Sequence, residues 1–478
     1  MEKLTGRKNE KKRLLNALLT NKSELISVIG RRRVGKTFLI RNVYKDKIVF
    51  ELSGQHKAPM RIQLKNFSNA MKEYSVKGMA NKIPDDWSDA FEILKEHIKS
   101  SRRKGKKVIF LDEFPWIETP RSGFLSSFEH FWNSWASKMD DLIIVICGSS
   151  ASWMIKKIVK NKGGLHNRIT DNIRLMPFSL YETELFLKER NVNLDRYQIS
   201  QLYMVMGGIP YYLSSIESGE SAAMYINRMY FRKDGLLTGE FKNLYESLFN
   251  KAEKHIEVIR ILARQPEGMT RDDLADKTGS ISGGRFTETL SELEESGFIA
   301  SYLPFGKRSA NKVYKLIDEF SFFYLKFGEH SIFSGEDYWL KISSGYNWKI
   351  WSGFAFERLC LRHSDQIREA LGISGVLANT GIWRQKGDKV TPGAQIDLFI
   401  DRQDNCINIC ELKYYESEFV LERKYAMILK NKIDQFRTST KTKKTLFLTF
   451  ITLNGLKQNQ FSTGLVQNSL TIESLFSP

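Results

Sequence analysis

The sequence is poor in long apolar runs, in cysteine and in acidic residues. No apolar stretch reaches the length that crosses a bilayer, and Met1 to Gly6 does not read as a secretory signal, so the expectation is a soluble cytoplasmic protein. Only four cysteines occur in 478 residues. Cys147, Cys360, Cys406 and Cys410 are too few and too irregularly spaced for a disulfide framework. Cys406 and Cys410 lack the second ligand pair that structural zinc needs, so all four are expected reduced and buried. Acids are outnumbered, 55 Asp and Glu against 73 Lys and Arg, a formal charge of +18. Such an excess attracts polyanions and makes association fall with salt. Nucleic acid is the first candidate partner, and a merely solvated basic surface is the alternative. The length suits about three or four domains.

Residues 30–37 read Gly30, Arg31, Arg32, Arg33, Val34, Gly35, Lys36, Thr37, a full GxxxxGKT phosphate loop. It follows the apolar run Leu25–Ile29 and precedes Phe38, Leu39 and Ile40, so a buried strand leads into a turn and then a helix. Backbone amides of such a turn, with the positive helix end, cradle a polyphosphate. Lys36 is expected to reach the β and γ phosphates of ATP, and Thr37 to hold Mg²⁺. The side chains of the three arginines are not needed for the cradle, because it uses their backbone.

A second apolar run, Val108–Leu111, ends in Asp112 and Glu113. Strands apolar on both faces belong inside parallel sheets, whose carboxyl ends place ligands. Asp112 is expected in the Mg²⁺ shell, and Glu113 as the base or orienter of an attacking water. The run Leu142–Gly148 ends in Ser149 and Ser150, which either face the same crevice or cap the following helix. With strands near 47–52 and 173–176, and helical stretches between them, the pattern predicts an α/β fold with a parallel sheet covered on both faces.

These pieces resemble the archaeal-type ATPases, a branch of the AAA+ and STAND-like P-loop switches. The resemblance rests on Gly6-Arg7-x-x-Glu10, the arginine-rich phosphate loop and Asp112-Glu113-Phe114-Pro115-Trp116. It also rests on Arg168 followed by Leu175-Met176-Pro177-Phe178-Ser179, and on Gly207-Gly208-Ile209-Pro210. It implies ATP hydrolysis, a helical lid with Pro210 packed near the base, and a first box near the adenine. Arg168 is then either a finger reaching the γ phosphate of a neighbouring subunit, through self-association of the ATPase core, or an ordinary basic loop residue. The Gly207-Gly208-x-Pro210 run also fits a plain helix stop.

Residues 250–332 predict three helices and a basic-tipped hairpin, similar to the winged helix that follows the lid in this family. The third helix carries Glu288, Glu292, Glu294 and Glu295, which a phosphate backbone repels, so packing against the ATPase is as good a reading as DNA contact. Lys307, Arg308 and Lys312 are candidate phosphate contacts in the wing.

Beyond about Tyr338, Glu357 falls on a helix, Asp397 on one strand, and Glu411 and Lys413 on the next. A hairpin brings Asp397 beside Glu411 and Lys413. Carboxylates that hold a divalent metal, with a lysine to position water, form a kit for phosphodiester hydrolysis. The set resembles the PD-(D/E)xK nuclease fold. That resemblance makes Glu357, Asp397 and Glu411 the metal acids, Glu411-x-Lys413 the closing pair and Gln435 an auxiliary group. Gln395 and Leu412 depart from the usual spelling without removing a ligand.

The expected organisation is a P-loop core over 1–190, a lid over 191–249, a winged helix over 250–332 and a restriction-endonuclease-like α/β domain over 333–478. The expected function is ATP hydrolysis with Mg²⁺, coupled to DNA engagement, with metal-dependent cleavage open. The alternatives are a nucleotide-gated switch on an inactive nuclease-like platform, or a scaffold that recruits a protein.

Overall fold

Apolar runs shielded on both sides dominate the first part of the chain. The strands β1 (Glu24–Ile29), β2 (Ile48–Ser53), β3 (Lys107–Asp112), β4 (Leu142–Gly148) and β5 (Asp171–Arg174) form one sheet. β1, β3 and β4 are buried at every position. The strand order is β2-β3-β4-β1-β5 and every pairing is parallel. The computed structural model describes residues 3–74, 83–159, 163–165, 167–249, 251–279, 283–306, 311–329, 337–385, 387 and 393–478. It divides into two compact units, Met1–Pro177 and Phe178–Pro478.

In the first unit, one sheet face packs Leu25, Ile29, Phe50, Leu52, Ile109, Leu111, Ile144 and Ile146 against the helices Met60–Tyr74, Trp87–Ser100 and Phe124–Ser134. A fully buried Leu or Ile contributes roughly 1.5–3 kcal/mol, so this layer is the main stabiliser of the unit. The helix Lys36–Tyr44 also contacts β3 and buries Leu39, Ile40 and Tyr44; the Tyr44 hydroxyl donates to the Leu14 carbonyl at 2.7 Å. The α/β parallel architecture expected from the sequence is the one observed.

The second unit begins with helices Leu180–Glu189, Arg196–Met206, Ala222–Tyr230 and Glu240–Leu248. Gly207 (φ 68) ends the second of these, and a Cβ on Gly208 would lie 2.1 Å from the Phe178 carbonyl oxygen. Pro210 opens the short helix Pro210–Leu213. The glycine-glycine-x-proline run thus has a steric cause within this unit.

Helices Glu253–Ala263, Arg271–Lys277 and Gly284–Glu295 follow, with β6 (Met269–Thr270), β7 (Ile299–Tyr302) and β8 (Val313–Leu316) in the order β6-β8-β7, all antiparallel. Thr270 caps its helix through a reciprocal pair with Asp273. Glu292 pairs with His255 at 2.9 Å, and Glu294 accepts from the Ser301 amide and hydroxyl. These acids are therefore engaged inside the module. Lys312 is exposed; Lys307 and Arg308 lie outside the described residues.

The last sheet contains β9 (Ala378–Gln385), β10 (Ala394–Arg402), β11 (Cys406–Lys413), β13 (Thr445–Thr452) and β15 (Asn468–Thr471), in the order β15-β13-β11-β10-β9. β9, β10 and β11 run antiparallel, and β11, β13 and β15 parallel. β12 (Phe419–Val420) pairs with β14 (Leu456–Lys457) beside it. The helix Arg423–Thr440 covers one face through Ala426, Leu429 and Phe436. The helix Tyr346–Arg362 contacts β10 and β11. Cys147, Cys360 and Cys410 are buried free thiols, as expected, but Cys406 is half-exposed because it opens β11 directly after a turn.

His363 ends the Tyr346–Arg362 helix in a fully enclosed position. Its Nε2 accepts from the Leu180 amide at 3.1 Å, so Nδ1 carries the proton and donates to the Leu359 carbonyl at 2.8 Å. Burial, in addition to nearby Arg362, pulls its pKa down to about 4. The unfolded chain takes up a proton near the ordinary histidine value of about 6.5, while the folded chain resists until about 4. Stability present above pH 6.5 is therefore lost as pH falls towards 4, by an amount on the order of 3 kcal/mol. Denaturant unfolding at pH 7 and pH 4.5 is expected to show a smaller acid loss in His363→Gln than in the wild type. Equal losses would remove His363 from the acid response.

Candidate functional site

The phosphate-loop residues leave the carboxyl end of β1 through two left-handed positions, Arg33 (φ 71) and Gly35 (φ 92). Successive turns of this kind aim backbone amides inward. Gly35 then stands before the helix Lys36–Tyr44. Gly30 has its own constraint: a Cβ there would meet the Leu175 carbonyl oxygen at 2.5 Å. Arg31, Val34 and Lys36 are buried, Arg32, Arg33, Gly35 and Thr37 half-buried, and Phe38 exposed.

The Thr37 hydroxyl donates to Asp112 Oδ2 at 2.7 Å, which joins the start of the helix to the end of β3. The Asp112 Oδ1 accepts from the Glu113 amide at 2.9 Å and from Cys147 Sγ at 2.7 Å. Burial and the Asp112 charge push the Cys147 thiol far above its ordinary pKa, so it remains a proton donor. Glu113 has φ 44, a left-handed conformation that turns the chain sharply after the strand. Its carboxylate accepts from the Ser149 amide at 3.0 Å and from the Ser149 hydroxyl at 2.5 Å. Lys36 Nζ donates to the Gly30 and Arg31 carbonyls at 2.8 and 3.1 Å and to Ser149 Oγ at 3.0 Å. Ser149 thus bridges Lys36 and Glu113. Ser150 precedes the helix Ala151–Met154 without a side-chain cap bond.

Sequence reasoning missed two steric supports. A Cβ on Gly54, just after β2, would lie 2.5 Å from the Glu113 carbonyl oxygen, and one on Gly148 would lie 2.6 Å from Pro115 Cδ. Arg7 donates to the Val34 carbonyl at 3.2 Å and to the Met176 carbonyl at 2.6 Å, bracing the loop from outside. A glycine at or just beyond the end of an apolar strand was the only available signal for Gly148 and Gly54. Arg168 is exposed in a turn before β5, and Pro210 belongs to the second unit.

In the second unit, paired residues end at Leu398↔Cys410; Asp397 and Glu411 lie one step beyond on each strand. The helix acid Glu357 shares their electrostatic environment: burial and then Asp397 push its pKa up, against Lys315, Arg358 and Lys413. Glu411 is buried and tied to Lys432 at 2.7 Å, Lys413 at 3.0 Å and the Tyr425 hydroxyl. Burial opposes its ionisation, but the two lysines hold its pKa below the ordinary value. The Gln395 amide is bonded to Asp397, and Gln435 lies on the Arg423–Thr440 helix. Among the described residues no three His, Cys, Asp or Glu side chains are grouped to hold a metal ion. Of the three acids expected as metal ligands, Glu411 is bonded by two lysines and Asp397 by the Gln395 amide.

Among the described residues no helix is long and apolar enough to cross a membrane. The fold of the chain resembles the Walker-type ATPase of Pyrococcus abyssi, at 19% identity over 68% of this chain and 96% of that one, with a TM-score of 0.52. An uncharacterized protein of Methanocaldococcus jannaschii is 24% identical over 396 residues, 80% of this chain and 82% of its own. The Aeropyrum pernix ORC2 protein, in ADPNP–ADP complexes, is a more distant likeness at 13% identity over 68% and 93% of the two chains, TM-score 0.40. Residues 4–216 match the family model described as an ATPase domain predominantly from Archaea.

Proposed function

We propose that the protein binds and hydrolyses ATP with Mg²⁺ and couples the nucleotide state to DNA engagement. The observation that carries the nucleotide reading is the 2.7 Å bond between Thr37 and Asp112. It brings a hydroxyl and a carboxylate together at the mouth of a left-handed turn, beside an ammonium group. This donor set fits a Mg²⁺-bound polyphosphate. Thr37 and Asp112 would hold the ion, which supplies charge neutralisation to the phosphate oxygens.

Lys36 exchanges its carbonyl and Ser149 contacts for phosphate oxygens. Ser149 then loses one partner, and Glu113, which shares it, becomes available to orient water and accept its proton. Gly30 to Gly35 contribute backbone, with Arg31, Arg32 and Arg33 lending positive potential around it and Phe38 opening onto solvent. Arg168 is assigned to contact with a neighbouring copy and Pro210 to the lid near the base, both on family resemblance. The division into core, lid, winged helix and nuclease-like domain is proposed on the same footing.

For the C-terminal domain the switch reading is favoured over cleavage. Its Glu411 is committed to Lys413, Lys432 and the Tyr425 hydroxyl, which leaves neither this acid nor Lys413 open to serve a metal-bound water. Lys36→Ala is expected to abolish binding of a fluorescent ATP analogue, whereas Glu113→Gln keeps binding and loses at least about 100-fold in phosphate release. Normal turnover in both would refute the assignment.

The charge of +18 supports nucleic acid as partner. Retention on duplex DNA is expected to fall by orders of magnitude between about 50 and 200 mM salt. Salt-independent retention, or none, would favour the protein scaffold instead.

A further inference from the structure

Cys147, next to last on β4, is hydrogen-bonded to Asp112 by strand register. Leu111 of β3 pairs with Ile146 of β4, so the residues that follow, Asp112 and Cys147, lie side by side near the carboxyl ends of the two strands. Side chains alternate between the two faces along a strand. Ile109, Leu111, Ile144 and Ile146 enter the apolar layer on one face, which puts Asp112 and Cys147 together on the other. Cys147 is fully buried. A buried strand accepts cysteine as a small apolar side chain, and alanine or valine would serve the packing as well; what the thiol adds is a hydrogen-bond donor.

The two oxygens of Asp112 are used unequally. Oδ1 accepts from the Glu113 amide at 2.9 Å and from Cys147 Sγ at 2.7 Å. Oδ2 accepts from the Thr37 hydroxyl at 2.7 Å. One backbone donor and one donor from β4 thus tie Oδ1 to the protein and leave Oδ2 turned towards the residue that follows the phosphate loop. Divalent cations differ in what they ask of such a carboxylate. Mg²⁺ demands near-ideal octahedral geometry and keeps several waters, whereas Ca²⁺ takes about six to eight oxygens and accepts a carboxylate through both of its own.

We propose that Cys147 is a positioning residue that sets cation choice at the nucleotide site: its thiol holds Oδ1 of Asp112, so that the carboxylate offers a cation one oxygen, which favours Mg²⁺ over Ca²⁺. Without the thiol, Oδ1 keeps only the Glu113 amide, and the carboxylate is freer to turn both oxygens to the larger ion. The proposal rests on the reading of Thr37 and Asp112 as the metal position, and goes beyond it by naming the side chain that selects the metal.

The test is the affinity of full-length protein for a fluorescent, non-hydrolysable ATP analogue, measured with Mg²⁺ and with Ca²⁺. The readout is the ratio of the two affinities, in which a general loss of nucleotide binding cancels. The wild type is expected to bind more tightly with Mg²⁺. Cys147→Ala and Cys147→Val both remove the donor, the second while refilling the space, and each is expected to lower the Mg²⁺-to-Ca²⁺ ratio at least about threefold, within what one hydrogen bond contributes. Cys147→Ser, which restores a donor, is expected to bring the ratio back to within about twofold of the wild type. Circular dichroism checks folding, and the two apolar variants differ in packing so that one folded variant suffices. A ratio unchanged in the folded apolar variants, or lowered as much in Cys147→Ser, overturns the proposal. Wild-type affinity indifferent to both cations removes the metal position itself and the proposal with it, whereas wild-type enhancement by Mg²⁺ with an unchanged ratio in the variants removes only the role of Cys147.

Discussion

The first unit is organised by the placement of β4 between β1 and β3. Strands that flank a common neighbour stand about 10 Å apart, too far for direct backbone contact but within reach of side chains from both ends. Thr37 closes that gap to Asp112, and Ser149, at the end of the middle strand, lies between Lys36 and Glu113. Thr37 and Lys36, which follow β1, are thus bonded to side chains at the ends of β3 and β4, and Glu113 is bonded to Ser149. The enclosed sheet beneath makes this arrangement rigid, because its strands are buried throughout and cannot slide without exposing their apolar faces.

Much of this was legible from local pattern. A GxxxxGKT run between a strand and a helix, and an apolar run ending in two acids, each carry their meaning within about eight residues. The five strands could be read for the same reason. Strand order could not, since it depends on crossovers between distant segments, and only the order resolves the two readings of Ser149. Gly54 and Gly148 matter for what approaches them from elsewhere in the chain, Glu113 and Pro115 respectively, and nothing adjacent in sequence announces that.

The C-terminal region shows the opposite balance. Its helix acid, strand acid and Glu411-x-Lys413 pair were found by spacing, and the antiparallel β10–β11 ladder sets Asp397 and Glu411 just beyond paired residues. Their surroundings were not legible. Lys432 arrives from a helix 21 residues after Glu411. A carboxylate pattern specifies which acids can meet, but the counter-charges that tertiary packing brings to Glu411 are not written beside it.

The central claim is that Thr37 and Asp112 together form the magnesium position of a nucleotide site. The most direct test is the ATP affinity of full-length protein with and without Mg²⁺, measured for the wild type and for Thr37→Ala and Asp112→Asn. The account predicts that Mg²⁺ tightens ATP binding to the wild type and that either substitution removes most of that enhancement. An affinity indifferent to Mg²⁺ in the wild type, or an enhancement that survives in both variants, would contradict it.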